Sequence, residues 1–406
     1  MTQTNTMTAW PRKDGRKGIR NTIVVAYLVE CAHHVARTVA RPFEEDDVHV
    51  IGFPGCFPND YAQEMLETLC THQNVGAVLL VSLGCENMRK KQLMDHIEAS
   101  GRPVKLLTIQ NEGGTKTTVQ RGRDWITSTR AEIDKLPTTT MSSSELVIGT
   151  ICGGSDATSG ITGNPAAGRA FDQLIQEGAT CIFEETGELI GCEQVMAERA
   201  ITPELGKELV STVDKAVHFY SALGYGSFSQ GNAVGGLSTI EEKSLGAYAK
   251  SGSSPISGIV KPCVQPPSGG LYLMDVVPEG DPTFGFPNIN DNAEIIELIS
   301  CGAHAVIFVT GRGSVVGSAI SPVLKVCANP DTFQSMGDDM DVNAGRILSE
   351  HASLDEVGTE IRDKLVGLGN GARTKSEELG HQEFVLTYKS FEPLGPACLP
   401  NAQASA

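Results

Sequence analysis

The chain has 406 residues, of which 40% are hydrophobic and 44 are glycine, and its formal net charge is −17. A chain of this length is expected to form two domains. The acidic charge argues against a nucleic-acid partner, because phosphates would be repelled. The longest apolar runs are too short to span a bilayer, and the polar N-terminus has no secretory signal. We therefore expect a cytoplasmic protein without a membrane partner.

The first 20 residues are expected to form an N-terminal tail. They include the basic stretch RKDGRKGIR, residues 12–20, which is the one strongly cationic run in the sequence. Two interpretations of this stretch stay open. It is either a solvated tail or an anion-binding entry to the first strand.

From residue 21, apolar runs alternate with helical patterns. The predicted strands cover residues 21–30, 48–53, 75–84 and 104–110, and the predicted helices cover residues 31–40, 61–72, 87–100 and 115–135. Continuous Val, Ile and Leu runs between helices indicate a parallel sheet that is covered on both faces. We assign residues 21–140 to a first α/β domain, which ends near the polar loop PTTTMSSS.

Residues 141–395 are predicted to form a C-terminal α/β domain that carries most of the functional site. Its predicted strands cover residues 145–152, 179–185, 269–277, 304–311 and 322–329, and its predicted helices cover residues 165–177, 190–200, 203–223, 240–250, 291–301 and 354–368. The Gly/Ser/Pro-rich segments 224–238 and 251–285 are too long for simple connectors and are expected to be functional. Residues 396–406 are expected to be a disordered tail.

Chemically active side chains follow several predicted strands. In open parallel sheets, ligands bind outside the carboxyl ends of the strands. Cys56, Cys85 and Cys152 each stand at such an end, and Glu184 and Glu185 follow another strand. Thiolates and carboxylates that converge at one sheet edge are suitable ligands for a transition metal such as iron. For any single cysteine, a small buried side chain is the simpler interpretation.

Two cationic side chains stand beside glycine-rich loops. Lys243 lies in GNAVGGLSTIEEKSLGAYAKSG, residues 231–252, where Thr239 and Glu242 fit a capping box at the start of a helix. The loop before it can bring backbone N–H groups close to an anion. Arg312 lies between glycines in TGRGS, after another strand, and can hold a carboxylate with two hydrogen bonds.

Six sequence blocks, in order, resemble the altronate and galactarate dehydratase family. They are GRKGIRN, LGCEN, CGGSDATSGITGNPAAG, GNAVGGLSTIEEKSLGA, FVTGRGSVVG and DDMDVNAG. The resemblance implies a lyase that depends on Fe²⁺ or Mn²⁺ and dehydrates a small acidic substrate, a sugar acid, to a 2-keto-3-deoxy acid. The same family includes the large subunit of (2R)-sulfolactate sulfo-lyase, which releases sulfite. A homo-oligomer is also expected.

The resemblance also implies the fold class. Family members have a small N-terminal β-rich domain, a middle α/β domain and a C-terminal α/β domain with knotted topology. This sequence begins directly at the middle domain, so we expect two parallel-sheet domains, the second knotted, without the small β-rich domain. In the sulfo-lyase that domain is a separate subunit, and we expect a separate small β-rich partner here.

The strand-end residues and the matched motifs together give a hypothesis for the site residues. The predicted metal ligands are Cys56, Cys85, Cys152, Glu184 and Glu185; the catalytic residues are Ser155, Asp156, Lys243 and Arg312; and the substrate-binding residues are Asn164, Asn232, Gly236 and Thr310. Lys243 and Arg312 are predicted to bind substrate carboxylates, or Lys243 to transfer a proton. Ser155, Asp156 and Asn164 would orient hydroxyl groups. The choice of base and acid stays open.

Three alternative interpretations of the sequence remain open. The first is the sulfo-lyase large subunit, with sulfite and pyruvate as products. The second is an iron–sulfur cluster on the three cysteines in place of a single metal ion. The third is a non-catalytic protein that binds a sugar acid or another anion, although the joint presence of Cys152, Asp156, Lys243 and Arg312 speaks against it.

Overall fold

The computed structural model describes residues 6–222, 230–280 and 290–389. The strands are β1 (Thr6–Pro11), β2 (Lys17–Gly18), β3 (Thr22–Tyr27), β4 (Val48–Gly52), β5 (Val75–Ser82), β6 (Val104–Thr108), β7 (Thr139–Ser142), β8 (Val147–Cys152), β9 (Thr180–Phe183), β10 (Ile256–Val260), β11 (Gly270–Met274), β12 (Ala305–Thr310), β13 (Val323–Cys327) and β14 (Val342–Asn343). The predicted mixed α/β class with parallel sheets is confirmed.

The helices connect these strands. They are α1 (Glu30–Ala40), α2 (Asp60–Cys70), α3 (Lys90–Ala99), α4 (Ile109–Glu112), α5 (Thr115–Ile133), α6 (Gly163–Gln176), α7 (Glu193–Glu198), α8 (Pro203–Ala222), α9 (Gln230–Val234), α10 (Ile240–Tyr248), α11 (Asp291–Ser300), α12 (Pro330–Met336), α13 (Arg346–Ser349), α14 (Leu354–Gly369) and α15 (Lys375–Glu378). In the described part of the chain, no helix combines the length and apolar character that crossing a membrane requires.

The first sheet has four parallel strands in the order β4-β3-β5-β6. Every residue of β5 is buried, as its unbroken run VGAVLLVS predicts for a central parallel strand. Helices α1 and α5 pack on one face of this sheet, and β4 and β6 are its two edges. The four strands predicted for residues 21–110 are confirmed.

The second sheet has seven parallel strands in the order β10-β11-β9-β8-β12-β13-β14. On one side of β8 the chain adds β9, then the edge strand β10, and then β11 between those two, before it crosses to the other side of β8 with β12, β13 and β14. The carboxyl ends of β8 and β12 therefore flank the position where the strand order reverses, which is where ligands bind in open α/β sheets. Strand β10 lies in the segment 251–285 that had been expected to be a loop. The knot stays a prediction.

A third, small sheet corrects the expectation of an N-terminal tail. Strand β1 pairs antiparallel with β2 and with β7, which directly precedes the C-terminal part of the chain. Met7 and Ala9 are buried while Thr6 and Thr8 are exposed, so the strand has the alternation of a half-buried sheet. Four residues of alternating pattern are too few to distinguish from a polar tail in the sequence.

The basic stretch within the first 20 residues is structural. The Arg12 guanidinium donates to the Gln73 carbonyl at 2.7 Å and to Asn21 Oδ1 at 3.0 Å. Arg20 is buried, and its Nε lies 2.7 Å from Glu377 Oε1, far along the chain. Neither the solvated tail nor the anion-binding entry describes these arginines, because they bind groups of the chain itself.

The two large sheets share one hydrophobic core. A single cluster of buried side chains includes Val24 and Leu80 from the first sheet and Ile151, Phe308 and Val323 from the second. Helix α2 of the first unit packs against α11 of the second. The second sheet and its helix α11 therefore pack directly against the first unit.

Candidate active site

Cys152, the last residue of β8, lies at the centre of a buried polar cluster. Its side chain is 4% exposed. Lys250 Nζ lies 3.3 Å and Lys243 Nζ lies 3.5 Å from the cysteine sulfur. Ser155 Oγ, at 3.5 Å, also donates to that sulfur. Three donors from three separate segments therefore converge on one thiol, which a merely space-filling cysteine does not require.

Helix α10 and the turn that follows it position both lysines. Thr239 accepts a hydrogen bond from the Glu242 amide and so fixes the start of α10, as predicted. The Glu242 carboxylate accepts from the Ser238 amide at 2.8 Å and not from the Thr239 amide, so the predicted capping box is only half formed. Lys243 lies in the first turn, and Lys250 lies in the short 3-10 helix Ala249–Ser251 that ends it. Lys250 is fully buried, although a lysine is almost never buried without a partner.

Two glutamates neutralise these lysines. Glu185 forms an ion pair with Lys250, and Glu188 forms one with Lys243. Glu185 also accepts a hydrogen bond from the Cys152 amide at 3.0 Å. Its backbone has a φ of 80°, a left-handed conformation that is uncommon for a non-glycine residue and is concentrated at functional sites. The strained backbone turns the chain after β9 back toward Cys152.

A pKa shift marks Lys243 as a stable ammonium group. Burial lowers the pKa of Lys243, but the charges of Cys152 and Glu188 outweigh this effect and raise it above its ordinary value. The group therefore carries its proton at neutral pH. It can bind an anion or donate a proton, and it is poorly suited to act as a base.

A second cluster of carboxylates lies behind the first. Oxygen atoms of Glu184, Glu185 and Glu294 lie within 4.8 Å of one another. Within the described part of the chain, neither carboxylate oxygen of Glu184 receives a hydrogen bond, although the side chain is fully buried. Burial raises the pKa of Glu184 to about 8, despite the opposing charge of Lys250. Burial, together with Glu184 and Glu188, raises the pKa of Glu294 well above its usual range.

Asp291 is the fifth carboxylate near the lysines. It is the first residue of α11, and it lies so close to Gly153 that a methyl group added there would be 2.2 Å from Asp291 Oδ2. Burial, and then the charge of Glu188, raises the pKa of Asp291 to about 6, while Lys243 and Lys250 oppose the shift. A carboxyl group with a pKa near neutrality can accept and return a proton under working conditions.

These clusters contain the residues that could hold a metal ion. The buried carboxylates outnumber the lysines, so the site needs protons or a cation to approach neutrality. The all-oxygen set Glu184, Glu185 and Glu294 suits a hard divalent cation such as Mn²⁺ or Fe²⁺. Cys152, Glu185 and Glu188 also group within 4.8 Å, but the two ammonium groups already contact that sulfur. The carboxylate set therefore fits a metal better.

Ser155 and Asp156 follow Cys152 in the loop after β8. Asp156 is buried, and its carboxylate accepts hydrogen bonds from Thr158 Oγ1 at 2.6 Å and from Asn329 Nδ2 at 2.9 Å. Those bonds hold the shape of the loop. Ser155 contacts the Cys152 sulfur directly. The structure thus brings Ser155 to the sulfur and engages the Asp156 carboxylate in bonds to Thr158 and Asn329. The catalytic role of Asp156 stays a prediction.

The four predicted substrate-binding residues surround this loop. A pocket of about 290 Å³ is lined by Ser155, Asp156, Asn164 and Lys243 among others. The side chain of Asn164 donates to the Gly246 carbonyl at 2.8 Å, and its Oδ1 is buried without a partner in the described part of the chain. Asn232 is buried in the segment that packs on the loop, Gly236 has a φ of 98°, and Thr310 Oγ1 accepts from the Gly313 amide at 3.0 Å.

Arg312 is placed at the same loop through its backbone. Its amide donates to the Gly154 carbonyl at 2.9 Å, which joins the ends of β8 and β12. Its side chain is exposed. An exposed guanidinium at this edge is accessible to a substrate carboxylate, so the predicted role stays a prediction.

Cys56 and Cys85 lie apart from this cluster. Both are exposed in the loops that follow β4 and β5 of the first sheet. Within the described residues, the only groups of three or more candidate ligand side chains are the two given above, and neither contains Cys56 or Cys85. The structure therefore brings Cys152, Glu184 and Glu185 together and does not bring the other two cysteines to them.

Sequence reasoning missed four residues of the site: Lys250, Glu188, Asp291 and Glu294. The signal for the last two was present, because acidic residues at 291, 294 and 297 recur every three positions along an otherwise apolar helix. Residues at this spacing lie on one face of the helix, and carboxylates are almost never buried there unless they have a partner. Lys250 stands between alanine and serine before a glycine, where a lysine is normally solvated.

Comparisons with known proteins show the family of this chain. The family description "D-galactarate dehydratase/Altronate hydrolase, second domain" matches residues 9–134, and "D-galactarate/Altronate dehydratase, C-terminal" matches residues 143–391. The chain is 32% identical over 400 residues to (2R)-sulfolactate sulfo-lyase subunit beta of Chromohalobacter salexigens, covering 94% of this chain and 97% of that protein.

Two dehydratases are also similar to this chain. It is 27% identical over 406 residues to altronate dehydratase of Bacillus subtilis, covering 95% of this chain and 78% of that protein. It is 31% identical over 320 residues to galactarate dehydratase (L-threo-forming) of Escherichia coli, covering 75% and 58%. These relatives are dehydratases and a sulfo-lyase subunit, and the chain has a buried polar cluster at its strand ends. The chain is therefore a lyase. It belongs to the altronate and galactarate dehydratase family, as its motifs predicted.

Proposed function

We propose that this chain catalyses an α,β-elimination on a 2-hydroxy acid, with dehydration of a sugar acid to a 2-keto-3-deoxy acid as the first candidate. The observation that carries the proposal is the convergence of Lys243, Lys250 and several carboxylates on Cys152 at the reversal point of the second sheet. A substrate that loses a proton beside its carboxylate builds up negative charge. Buried ammonium groups at fixed positions stabilise such charge most strongly in the transition state.

Lys243 and Lys250 are the groups that would meet this charge. Both are buried, so their interaction with an anion is weakly screened. Each is already paired with a glutamate, and a substrate carboxylate would share or displace those contacts. Because Lys243 keeps its proton, it is also the candidate donor to a departing hydroxide.

Asp291 is the candidate base. Its pKa of about 6 means that most of the group is ionised near pH 7, while its conjugate acid is strong enough to return the proton. Glycine at position 153 lets this carboxylate approach the backbone after β8 closely, since an added methyl group there would lie 2.2 Å from Asp291 Oδ2.

The proposal includes a divalent metal, Fe²⁺ or Mn²⁺, held by Glu184, Glu185 and Glu294. When bound, such an ion would polarise the substrate carboxylate and increase the acidity of the adjacent C–H. The support is the donor chemistry of this set and the unpaired buried oxygens of Glu184. A single metal ion is favoured over an iron–sulfur cluster because Cys56 and Cys85 lie away from Cys152.

A second candidate is (2R)-sulfolactate, with sulfite as the leaving group. It is favoured by the match to the sulfo-lyase subunit beta over 97% of that protein's length. Sulfite leaves as an anion and needs no proton donor, so this reaction depends less on Lys243. A relative named as a subunit also supports the proposal that a separate, small β-rich chain assembles with this one.

The test is anaerobic turnover with Fe²⁺ or Mn²⁺, with and without a candidate small partner chain. The panel holds aldonates, aldarates and sulfolactate, with 2-keto acid and sulfite assayed separately. Keto acid without sulfite supports dehydration, and sulfite release supports the second candidate. Lys250→Met removes one ammonium group of the site and is expected to lower turnover at least about 100-fold. Lys116→Gln, a change at an exposed position of α5, should keep full turnover. Bound metal with no product from any substrate would contradict both candidates.

A further inference from the structure

Strand β4 forms an open edge of the first sheet, remote from the catalytic cluster. Ile23 donates to the Asp47 carbonyl at 3.0 Å, and Phe53 donates to the Tyr27 carbonyl at 3.0 Å. In a parallel pair of strands, every second residue directs both its N–H and its C=O toward the neighbouring strand. Because Asp47 and Phe53 point toward β3, the odd-numbered residues of β4 face β3 and the even-numbered ones face outward. The N–H and C=O groups of Val48 and Val50 therefore face away from β3. In the described part of the chain, no further strand pairs with this edge.

A cleft of about 750 Å³ runs along this edge, a volume within the range of natural ligand sites. Val48 and Val50 line it, helix α1 bounds one side, and Gln382 and Phe384 bound another. The opposite face of β4 is closed, because His49 Nδ1 contacts the Ala319 carbonyl at 2.7 Å. The result is a slot whose base is an unpaired strand edge.

The charged side chains of this slot are basic. Among its described lining residues are Arg37, Arg41, His33 and His34, and none is acidic. In the described part of the chain, the side chains of His34, Arg37 and Arg41 have no ion pair or hydrogen bond, whereas His33 pairs with Glu30 at 3.0 Å. Arg37 and Arg41 stand four residues apart, so they repel one another slightly. This lining is locally cationic on a chain of net charge −17, and it is complementary to an anionic ligand.

We propose that this slot binds an extended acidic segment of another protein chain, which adds to β4 as a fifth strand. Main-chain hydrogen bonds to Val48 and Val50 would provide affinity, as in other cases of strand addition. Alternate side chains of an added strand point to opposite faces. Its acidic residues would meet Arg37 and Arg41, and its apolar residues would meet Phe384.

A second copy of this chain is a poorer occupant. Two-fold pairing through β4 would place the same surface patch of both copies together. Arg37 and Arg41 of one copy would then face the same arginines of the other, and like charges destabilise such a contact. Charge complementarity therefore favours a different, acidic partner.

The test uses a fluorescent peptide, Glu-Val-Glu-Val-Glu-Val-amide, and fluorescence anisotropy at low and moderate salt. We expect saturable binding that weakens with salt. Arg37→Gln with Arg41→Gln should weaken it at least about tenfold, because the charge partners are removed. Val50→Pro should do the same, because proline removes only the outward N–H of the edge. Lys116→Gln with Lys135→Gln, which removes two exposed charges of the same unit, should leave the affinity unchanged.

A peptide with N-methylated valines tests the strand contact without changing the protein, so the result does not depend on how well Val50→Pro folds. It should fail to bind. Equal binding of the methylated peptide, with competition by inorganic phosphate, would replace strand addition with a simple anion site and overturn the proposal. Absence of binding to the unchanged protein at millimolar peptide would also overturn it. So would a dimer that Val50→Pro dissociates, since the occupant would then be a second copy.

Discussion

Charge balance around Cys152 decides what each residue of the site can do. Glu185 and Glu188 fix the two lysines, and these pairs are buried or nearly so. Lys243 is kept protonated by its neighbours, while Asp291 is moved toward neutrality by burial and by Glu188. Both pKa values are raised, so Lys243 remains an ammonium group and the Asp291 carboxyl group titrates close to neutral pH. A proton donor and a proton acceptor thus stand within one small volume.

The first prediction concerns Asp291. If its carboxylate removes the substrate proton, kcat/KM should fall as the pH falls through about 6, because the protonated acid cannot accept a proton. Asp291→Asn should lower kcat about 100-fold at pH 7.5 and abolish this acid limb. The measurement is a pH–rate profile with the substrate that the panel identifies. Asp95→Asn, in an exposed pair with Lys91, should keep the full profile. An unchanged acid limb in Asp291→Asn would assign that pKa to another group.

At the level of elements, α10 is positioned by a glycine contact. A methyl group on Gly160 would lie 2.9 Å from the Gly246 Cα atom, and one on Gly246 would lie 3.2 Å from the Gly160 Cα atom. The loop after β8 and the helix that carries Lys243 therefore approach through their backbones. The spacing between Lys243 and Cys152 depends on this contact.

The second prediction follows from that contact. Gly246→Ala should move α10 away from the loop, lower the free energy of unfolding by about 1–3 kcal/mol, and reduce turnover by displacing Lys243. Urea denaturation and a turnover assay are the measurements. Gly337→Ala is the control, because an added methyl group there has no neighbour within 4 Å. Equal stability and turnover in Gly246→Ala would mean that α10 is positioned in another way.

The same elements show how far the sequence could predict this site. The runs that end at Cys152 and before Glu184 were predictable as buried strands, and so was the capped helix with Lys243. The rule that polar residues gather at strand ends also identified Cys56 and Cys85. It failed for them because each sheet has its own edge, and sequence patterns do not specify which strand ends meet. Lys250 was hidden because its burial depends on Glu185, which is distant along the chain.

At the level of the whole molecule, His304 links the second large unit to the small third sheet. Its Nδ1 accepts from the Val147 amide at 3.0 Å, and its Nε2 donates to the Lys17 carbonyl at 2.8 Å. Both ring nitrogens are thereby used by the neutral imidazole. Burial lowers the pKa of His304 to about 4, although the contact of Nε2 with the Lys17 carbonyl opposes the shift. Burial also lowers the pKa of nearby His72 well below its usual range.

The third prediction is a loss of stability in mild acid. The unfolded histidine binds a proton near pH 6.5, whereas the folded one does so only near 4, so stability is complete above 6.5 and decreases toward 4. His304 alone accounts for up to about 3 kcal/mol of this loss. Urea denaturation at pH 7.5 and pH 4.5 measures it. His304→Gln should lose less between these values, and His34→Gln, at an exposed position, should lose as much as the unchanged protein. Equal losses in all three would exclude His304 as the cause.

The hydrophobic core that the two large sheets share also determines how this chain can be divided. A cut near residue 140 would separate Val24 and Leu80 from Ile151 and Phe308, and each half would expose an apolar face to water. The two halves should then precipitate when produced alone and recover only when produced together. In evolution, an insertion near residue 140 would divide this shared core. Additional domains are therefore expected at the ends of such chains and not between the two sheets.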